Sequence, residues 1–377
     1  MGDRAYQSQA AVLLTLGSLL RYEDGEPPDF RARAEEEQAE LEIVPPDDLD
    51  RLGLPARIRG LAVDRGLRYS SAFVRESMLA KGMEVREPRG LDERGAEPEL
   101  REAMPILVDR LLEDPRPLTA AQLCAAALAS PEELVRVAAA TAYSEMTLRE
   151  EQEPLLKVLV QGTYSEEPTV RDVALTALAR LDPNHPRLFE RTTPPHPEAE
   201  GGTSHTSLLV HGTWASGNSW WQPGGNFHNY LLRTVDPQLY AGTDWRGWSG
   251  GYSDAARALG ALDLMAFVNG KGFAGLDLFT HSHGVSVAFL ASRGGMNAGR
   301  LVVLSYPVHR SKYWPDFNRV RKLVSIRVHM DLVILADGNG QRFRDPKIQE
   351  IVLPIWFNHS ASHDPAVWAS HNLPSRI

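Results

Sequence analysis

The 377-residue chain is predicted to fold as an all-helical domain followed by an α/β domain with a mostly parallel sheet. Three observations predict this. The first is an abrupt change of composition near residue 204. Residues 205–377 carry 16 Lys+Arg against 11 Asp+Glu, a net of +5, whereas residues 1–204 carry 24 against 38, a net of −14. All eight tryptophans and ten of the twelve histidines also follow residue 204. The second is the helical period before that point: apolar residues recur at spacings of three and four among Ala, Leu, Arg and Glu. The third is the alternation after it of short β-rich runs with helical stretches, the pattern of a parallel sheet covered by helices.

In the first domain, residues 1–190, helices are expected near Glu99–Glu113, Thr119–Ala129, Glu132–Met146, Glu153–Val160 and Thr169–Leu181. Residues 1–98 also read as helical, broken by Pro27-Pro28 and Pro45-Pro46, and carry no recognisable chemistry. The apolar run Ala10–Leu20 follows Asp3 and Arg4, lacks a small-residue cleavage site and continues into Arg21, so it reads as an amphipathic or core helix rather than a signal peptide. Val135-Arg136 and Val170-Arg171 stand 35 residues apart, each followed by alanines. A period of this size suits a helix pair that buries its face only against neighbouring pairs. On those residues, 100–182 resembles HEAT-like α-repeats. The stretch 191–204, Pro- and Gly-rich with little apolar surface, reads as a linker.

In the second domain, 205–377, strands are expected at Thr206–Val210, Tyr240–Trp245, Leu276–Thr280, Arg300–Ser305, Leu323–His329 and Glu350–Phe357. Helices are expected near Phe227–Thr234, Ser253–Val268, Gly284–Arg293 and Pro365–Ser370. In such sheets reactive groups belong at the carboxyl ends of strands. At Leu276-Asp-Leu-Phe-Thr-His-Ser-His-Gly284 a strand ends, a sharp turn presents Ser282, and a helix begins at once, which is a nucleophile elbow. Gly284 supplies the small residue two places after the serine, and Thr280 stands where a glycine is usual two places before it. In Ser207-Leu-Leu-Val-His-Gly-Thr-Trp214 a hydrophobic strand runs into His-Gly, which suits an oxyanion loop, with the amides of Thr213 and His283 as donors and His211 as scaffold.

These two motifs resemble those of the α/β-hydrolase family of serine esterases and lipases over essentially all of 205–377. The family uses a triad in the chain order Ser, Asp or Glu, His. The resemblance therefore implies an acid at Asp331, after the strand ending at His329, with Asp337 in reserve inside the turn-like Asp-Gly-Asn-Gly. It implies a base at His359, straight off the last strand, with His363 and then His371 as alternatives. Trp214 and Trp221 are the candidates for an apolar acyl pocket. Tyr306–Lys322 is too short for a large helical cap, so the domain looks like the small, lidless lipases, with Tyr306–Asp316 as a short flap.

These readings imply a serine carboxylester hydrolase without a cofactor, acting on a small-molecule acyl ester. No metal is expected. Alternate residues on a turn diverge, which separates His281 from His283, and the pair His359/His363 lacks the glutamate of a zinc protease helix. Thioester or amide cleavage and acyl transfer use the same groups, and a scaffold with an inactive hydrolase domain is the rival from another class. The acidic helical domain is the expected site for a protein partner. Mild, interspersed positive charge makes no nucleic-acid footprint. No apolar run approaches the ~20 residues of a membrane span, and one cysteine, Cys124, excludes a disulfide framework, so a cytoplasmic protein is expected.

Overall fold

The computed structural model describes residues 2–20, 68–80, 111, 113, 116–190, 207–273, 275–310 and 312–377. The linker 191–204 and most of the helix expected at Glu99–Glu113 lie outside the described residues. Contacts divide the chain into two units: Met1–Leu181 with Leu335–Gly338, and Asp182–Ile334 with Asn339–Ile377.

The first unit is helical, as the period requires. Its described helices are α1 (Gly2–Leu20), α2 (Ser71–Leu79), α3 (Pro117–Ala127), α4 (Glu133–Ser144), α5 (Glu153–Gly162) and α6 (Pro168–Leu181). Helix α4 is the hub, packed by α1, α3, α5 and α6, and Leu134–Ser144 is buried without a break. Its run of alanines permits that crowding. At Gly17 a Cβ would stand 2.7 Å from the Ala142 Cα, so α1 crosses α4 almost backbone to backbone.

The 35-residue repeat is also visible as local structure. The Arg136 guanidinium donates to the Ser130 carbonyl at 2.6 Å, and Arg171 donates to the Ser165 carbonyl at 3.1 Å. The hydroxyls of the same two serines accept from the amides of Glu132 and Glu167, each at 3.2 Å. Both copies therefore start their helix the same way, with a serine capping the turn and an arginine reaching back over it.

The second unit opens with the short helix α7 (Pro186–Phe189). Its sheet is entirely parallel, in the order β1 (Ser207–Val210), β2 (Leu276–His281), β3 (Ala298–Leu304), β4 (Val320–His329) and β5 (Ile348–Trp356). β1 and the Leu301–Leu304 end of β3 read as continuous Leu and Val because both faces are covered. The helices are α8 (Asn226–Thr234), α9 (Asp254–Gly270), α10 (Gly284–Arg293), α11 (Leu332–Asp337), whose residues from Leu335 on count with the first unit, and α12 (Pro365–Ser370). Ser253 caps α9 by accepting from the Ala256 amide, and Asp364 caps α12 by accepting from the Ala366 amide. No helix among the described residues is long and apolar enough to cross a membrane.

Two local expectations need correction. Tyr240–Trp245 is not a strand. Its middle, Ala-Gly-Thr-Asp, turns back on itself, and the Tyr240 hydroxyl bonds the Asp244 carboxylate. The segment instead covers the open side of β1: the Tyr240 amide donates to the Ser207 carbonyl, and the Trp245 indole donates to the Leu209 carbonyl, both at 2.9 Å. The Trp248 indole continues the row by donating to the His211 carbonyl at 2.8 Å. The second correction concerns Asp337, which ends α11 rather than lying in a turn; the turn follows at Gly338, whose φ is +76°.

Candidate active site

A parallel sheet brings all strand carboxyl ends to one edge, and the strands β2 to β5 each leave that edge in the same strained way. The residue after each strand has positive φ: Ser282 (+49°), Ser305 (+44°), Met330 (+43°) and Phe357 (+68°). None is glycine, and each such conformation costs on the order of 1–3 kcal/mol. Hydrogen bonds hold three of them there. The amides of Ser282, Ser305 and Phe357 donate to Leu304, Ile326 and His329, at 2.8, 2.9 and 2.9 Å.

Ser282 thus stands on a left-handed turn between β2 and α10, as the elbow motif predicts. The turn is tight because β1 runs beside it. A Cβ at Gly284 would collide with the His211 and Val210 carbonyl oxygens, and one at Gly212 would meet the Ser282 Cβ at 2.8 Å. Glycine at 284 is therefore required by the backbone at Val210 and His211. Thr280 is accommodated because its hydroxyl donates to the Val302 carbonyl at 3.2 Å on the neighbouring strand. Gly284→Ala should destabilise the unit by at least about 3 kcal/mol, since backbone faces backbone and neither side can yield. A urea midpoint within error of the wild type would show that the loop does not hold this approach.

The predicted acid and base meet. His359 Nδ1 donates to Asp331 Oδ2 at 2.8 Å, and Asp331 Oδ1 accepts from the amides of Val333 and Ile334 at 3.0 and 3.3 Å. Asp331 is fully buried and its own amide donates to Gln341 Oε1 at 2.9 Å. Every lone-pair direction of the carboxylate that matters is fixed, so the His359 ring is held with Nδ1 protonated and Nε2 able to accept. Asp337 takes no part in this pairing. Among the hydrogen bonds of the described residues none between Ser282 Oγ and His359 is seen; contacts of this kind are often long before substrate binds.

Around the base lies a cluster that no sequence spacing announced. His281 packs edge-to-face on His359 and His363, with ring centroids 4.7 and 4.5 Å apart, and Trp220 stacks on His363 at 4.1 Å. Neither ring nitrogen of His281 has a hydrogen-bond partner among the described residues. Burial, then the neighbouring imidazoles of His363 and His359, hold its pKa well below the usual histidine value. Burial likewise pushes His363 down to about 3.

On the other side, Thr213 and His283 are also tied together. Thr213 Oγ1 lies 2.9 Å from His283 Nδ1, which links the two residues whose amides the sequence selects as donors. The Thr213 amide has no acceptor among the described residues. His211 is fully buried between Trp221 and Trp248, with Nδ1 2.7 Å from the Gly212 carbonyl and Nε2 3.1 Å from the Trp248 carbonyl. Two acceptors favour the cation, but burial outweighs them and pushes its pKa down to about 4.

The unfolded chain protonates these histidines near 6.5 while the fold keeps them neutral. The stability they contribute is complete above pH 6.5 and is lost as pH falls through about 4 and 3. For His211 the gap from 6.5 to about 4 converts to about 3 kcal/mol. Urea midpoints measured from pH 7.5 to 4 should fall accordingly, and less steeply in His363→Phe. An equal midpoint at pH 7.5 and 4 would mean that the fold tolerates these rings charged.

The two candidate pocket tryptophans part company. Trp214 has φ +54°, stacks on Tyr252 with centroids 5.8 Å apart, and its buried indole N–H has no acceptor among the described residues. Trp221 does not line a pocket: it is 2% exposed, packs on His211, and donates its N–H to the Ala215 carbonyl at 2.7 Å. The expected flap is also pinned down. Tyr306 and Tyr313 are buried, the Tyr313 hydroxyl bonds Asp254, and the Val308 amide donates to Gly340 at 2.7 Å.

Comparison of the chain with protein-family models, curated proteins and solved structures finds no significant match.

Proposed function

We propose that the second unit is a serine carboxylester hydrolase of the α/β-hydrolase type, and that Ser282, His359 and Asp331 are its triad. The observation that carries the reading is the His359–Asp331 bond at the same strand edge as a serine on a strained elbow. In this mechanism Ser282 Oγ attacks the ester carbonyl carbon while His359 Nε2 takes the hydroxyl proton. The carbonyl oxygen becomes an oxyanion held by the amides of Thr213 and His283, each such donor being worth ~3 kcal/mol. Collapse of the adduct breaks the bond to the alcohol, which leaves with the proton from His359. Water then repeats the cycle on the acyl-enzyme and restores Ser282. Asp331 holds the imidazole tautomer and stabilises the imidazolium. Trp214 forms the wall of the acyl site and offers its indole N–H to the substrate.

The helical unit, read as HEAT-like pairs, serves as an interaction surface for a protein partner. The net charge of −14 over residues 1–204 and the repeat support that role.

A fluorophosphonate probe should label the purified full chain at one residue, and peptide mass spectrometry should place the adduct on Ser282. Turnover of a panel of p-nitrophenyl esters should accompany it. A folded protein that neither labels nor turns over any ester would sink the proposal. Partition of the acyl group to an added alcohol in preference to water would move it to acyl transfer.

A further inference from the structure

Next to the proposed oxyanion loop lies a pair of histidine rings that the ester chemistry does not use. His283 Nε2 and His309 Nε2 face each other at 3.5 Å, with ring centroids 5.6 Å apart. That separation is long for an N–H···N hydrogen bond. It does match the edge of a tetrahedral zinc site, where Zn–N bonds of 2.0–2.1 Å place two nitrogens about 3.4 Å apart. We infer that His283 and His309 bind one divalent transition-metal ion of the zinc, nickel or copper class, with water among its ligands.

Three features support this. The first is the tautomer. Thr213 Oγ1 sits 2.9 Å from His283 Nδ1 and can accept its proton; in that tautomer the Nε2 lone pair turns toward His309. Fixing one ring nitrogen by a hydrogen bond is how proteins orient an imidazole ligand for a metal. The second is preorganisation. His283 is buried and packs edge-on to Tyr252 at 5.2 Å, while His309 lies between Tyr306 at 6.1 Å and Tyr313 at 5.4 Å. The His309 segment is itself anchored by Val308 and Tyr313, so neither ring has to be ordered when the ion arrives. The third is access: His309 is half-buried, which admits solvent to the ion. Imidazole ligands select zinc, copper and nickel over magnesium and calcium, which prefer oxygen.

The consequence for activity rests on the proposed esterase reading. His283 and Thr213 supply the oxyanion amides, so an ion on the His283 ring alters the charge beside that loop, and ester turnover should change reversibly when the ion binds and return to its starting value with a chelator.

The test is cobalt(II) titration of the metal-stripped full chain, read by the visible d–d absorption of nitrogen-bound cobalt and by calorimetry. One equivalent should bind, zinc should displace it, and His309→Gln should weaken binding at least about tenfold while leaving its melting temperature without metal unchanged. His363→Gln should bind as the wild type does. Failure of folded wild type to take up cobalt would overturn the site. So would equal binding by His309→Gln, or loss of binding in His363→Gln, which would place the ion on the histidine cluster around the base. Fluorophosphonate labelling of the stripped protein reports separately on the esterase. Cobalt uptake without labelling removes the hydrolase and leaves the metal site; labelling without uptake does the reverse.

Discussion

Ser282→Ala should abolish fluorophosphonate labelling and lower ester turnover by ~10⁴–10⁶-fold, the loss found when a triad nucleophile is removed. The substitution isolates chemistry from folding. The Ser282 amide still donates to Leu304, the turn keeps its positive φ, and no larger group is introduced beside Gly212. Far-ultraviolet circular dichroism and the urea midpoint should therefore match the wild type. Some acceleration over water should survive, because the amides of Thr213 and His283 stay in place to bind an oxyanion formed by water attack. Turnover within tenfold of the wild type would exclude Ser282 as nucleophile, however suggestive its turn.

Asp331→Asn should be nearly as severe, on the order of 10⁴-fold in kcat with little change in KM. The reason lies in how the two carboxylate oxygens are used. Oδ1 accepts two backbone amides and Oδ2 accepts from His359 Nδ1, so both positions demand an acceptor. An asparagine has only one. If its oxygen keeps the helix amides, its NH₂ faces Nδ1, and the ring must carry its proton on Nε2, where it can no longer take one from serine. If the amide flips, NH₂ meets two N–H donors at the start of α11. Asp337→Asn, by contrast, should leave turnover within about threefold, because that carboxylate is not bonded to the base. A mild effect at Asp331 with a severe one at Asp337 would reverse the assignment made from the hydrogen bonds.

The chemistry-bearing turns were legible because they are local. His-Ser-His-Gly after an apolar strand can be read from consecutive residues, and so can Val-His-Gly-Thr; the clash that forces glycine at 284 is the physical content of that motif. Asp331 was selected through chain order, and what the structure shows of it is a contact, His359 on Asp331, between residues 28 apart. What stayed hidden depends on long-range packing. His281, His363 and Trp220 form one stack, yet no spacing relates them. Ser305, Met330 and Phe357 adopt positive φ without the glycine or asparagine that usually signals it, because hydrogen bonds to the neighbouring strands impose it on two of them. Tyr240–Trp245 was misread because aromatic residues that protect a sheet edge have the composition of a strand. Helix α11 was missed because it spans under two turns, too short for a period to show.

The row of donors along β1 has a consequence for how the protein behaves in concentrated solution. A bare first strand would present its carbonyls to any extended segment, including the same strand of another molecule. Here Tyr240, Trp245 and Trp248 occupy the acceptors of Ser207, Leu209 and His211 in turn, and the indoles cannot be extended by a further strand. Two tryptophan side chains thus act as a chain terminator for sheet growth, which keeps the β1 side of the sheet from becoming a seed for aggregation.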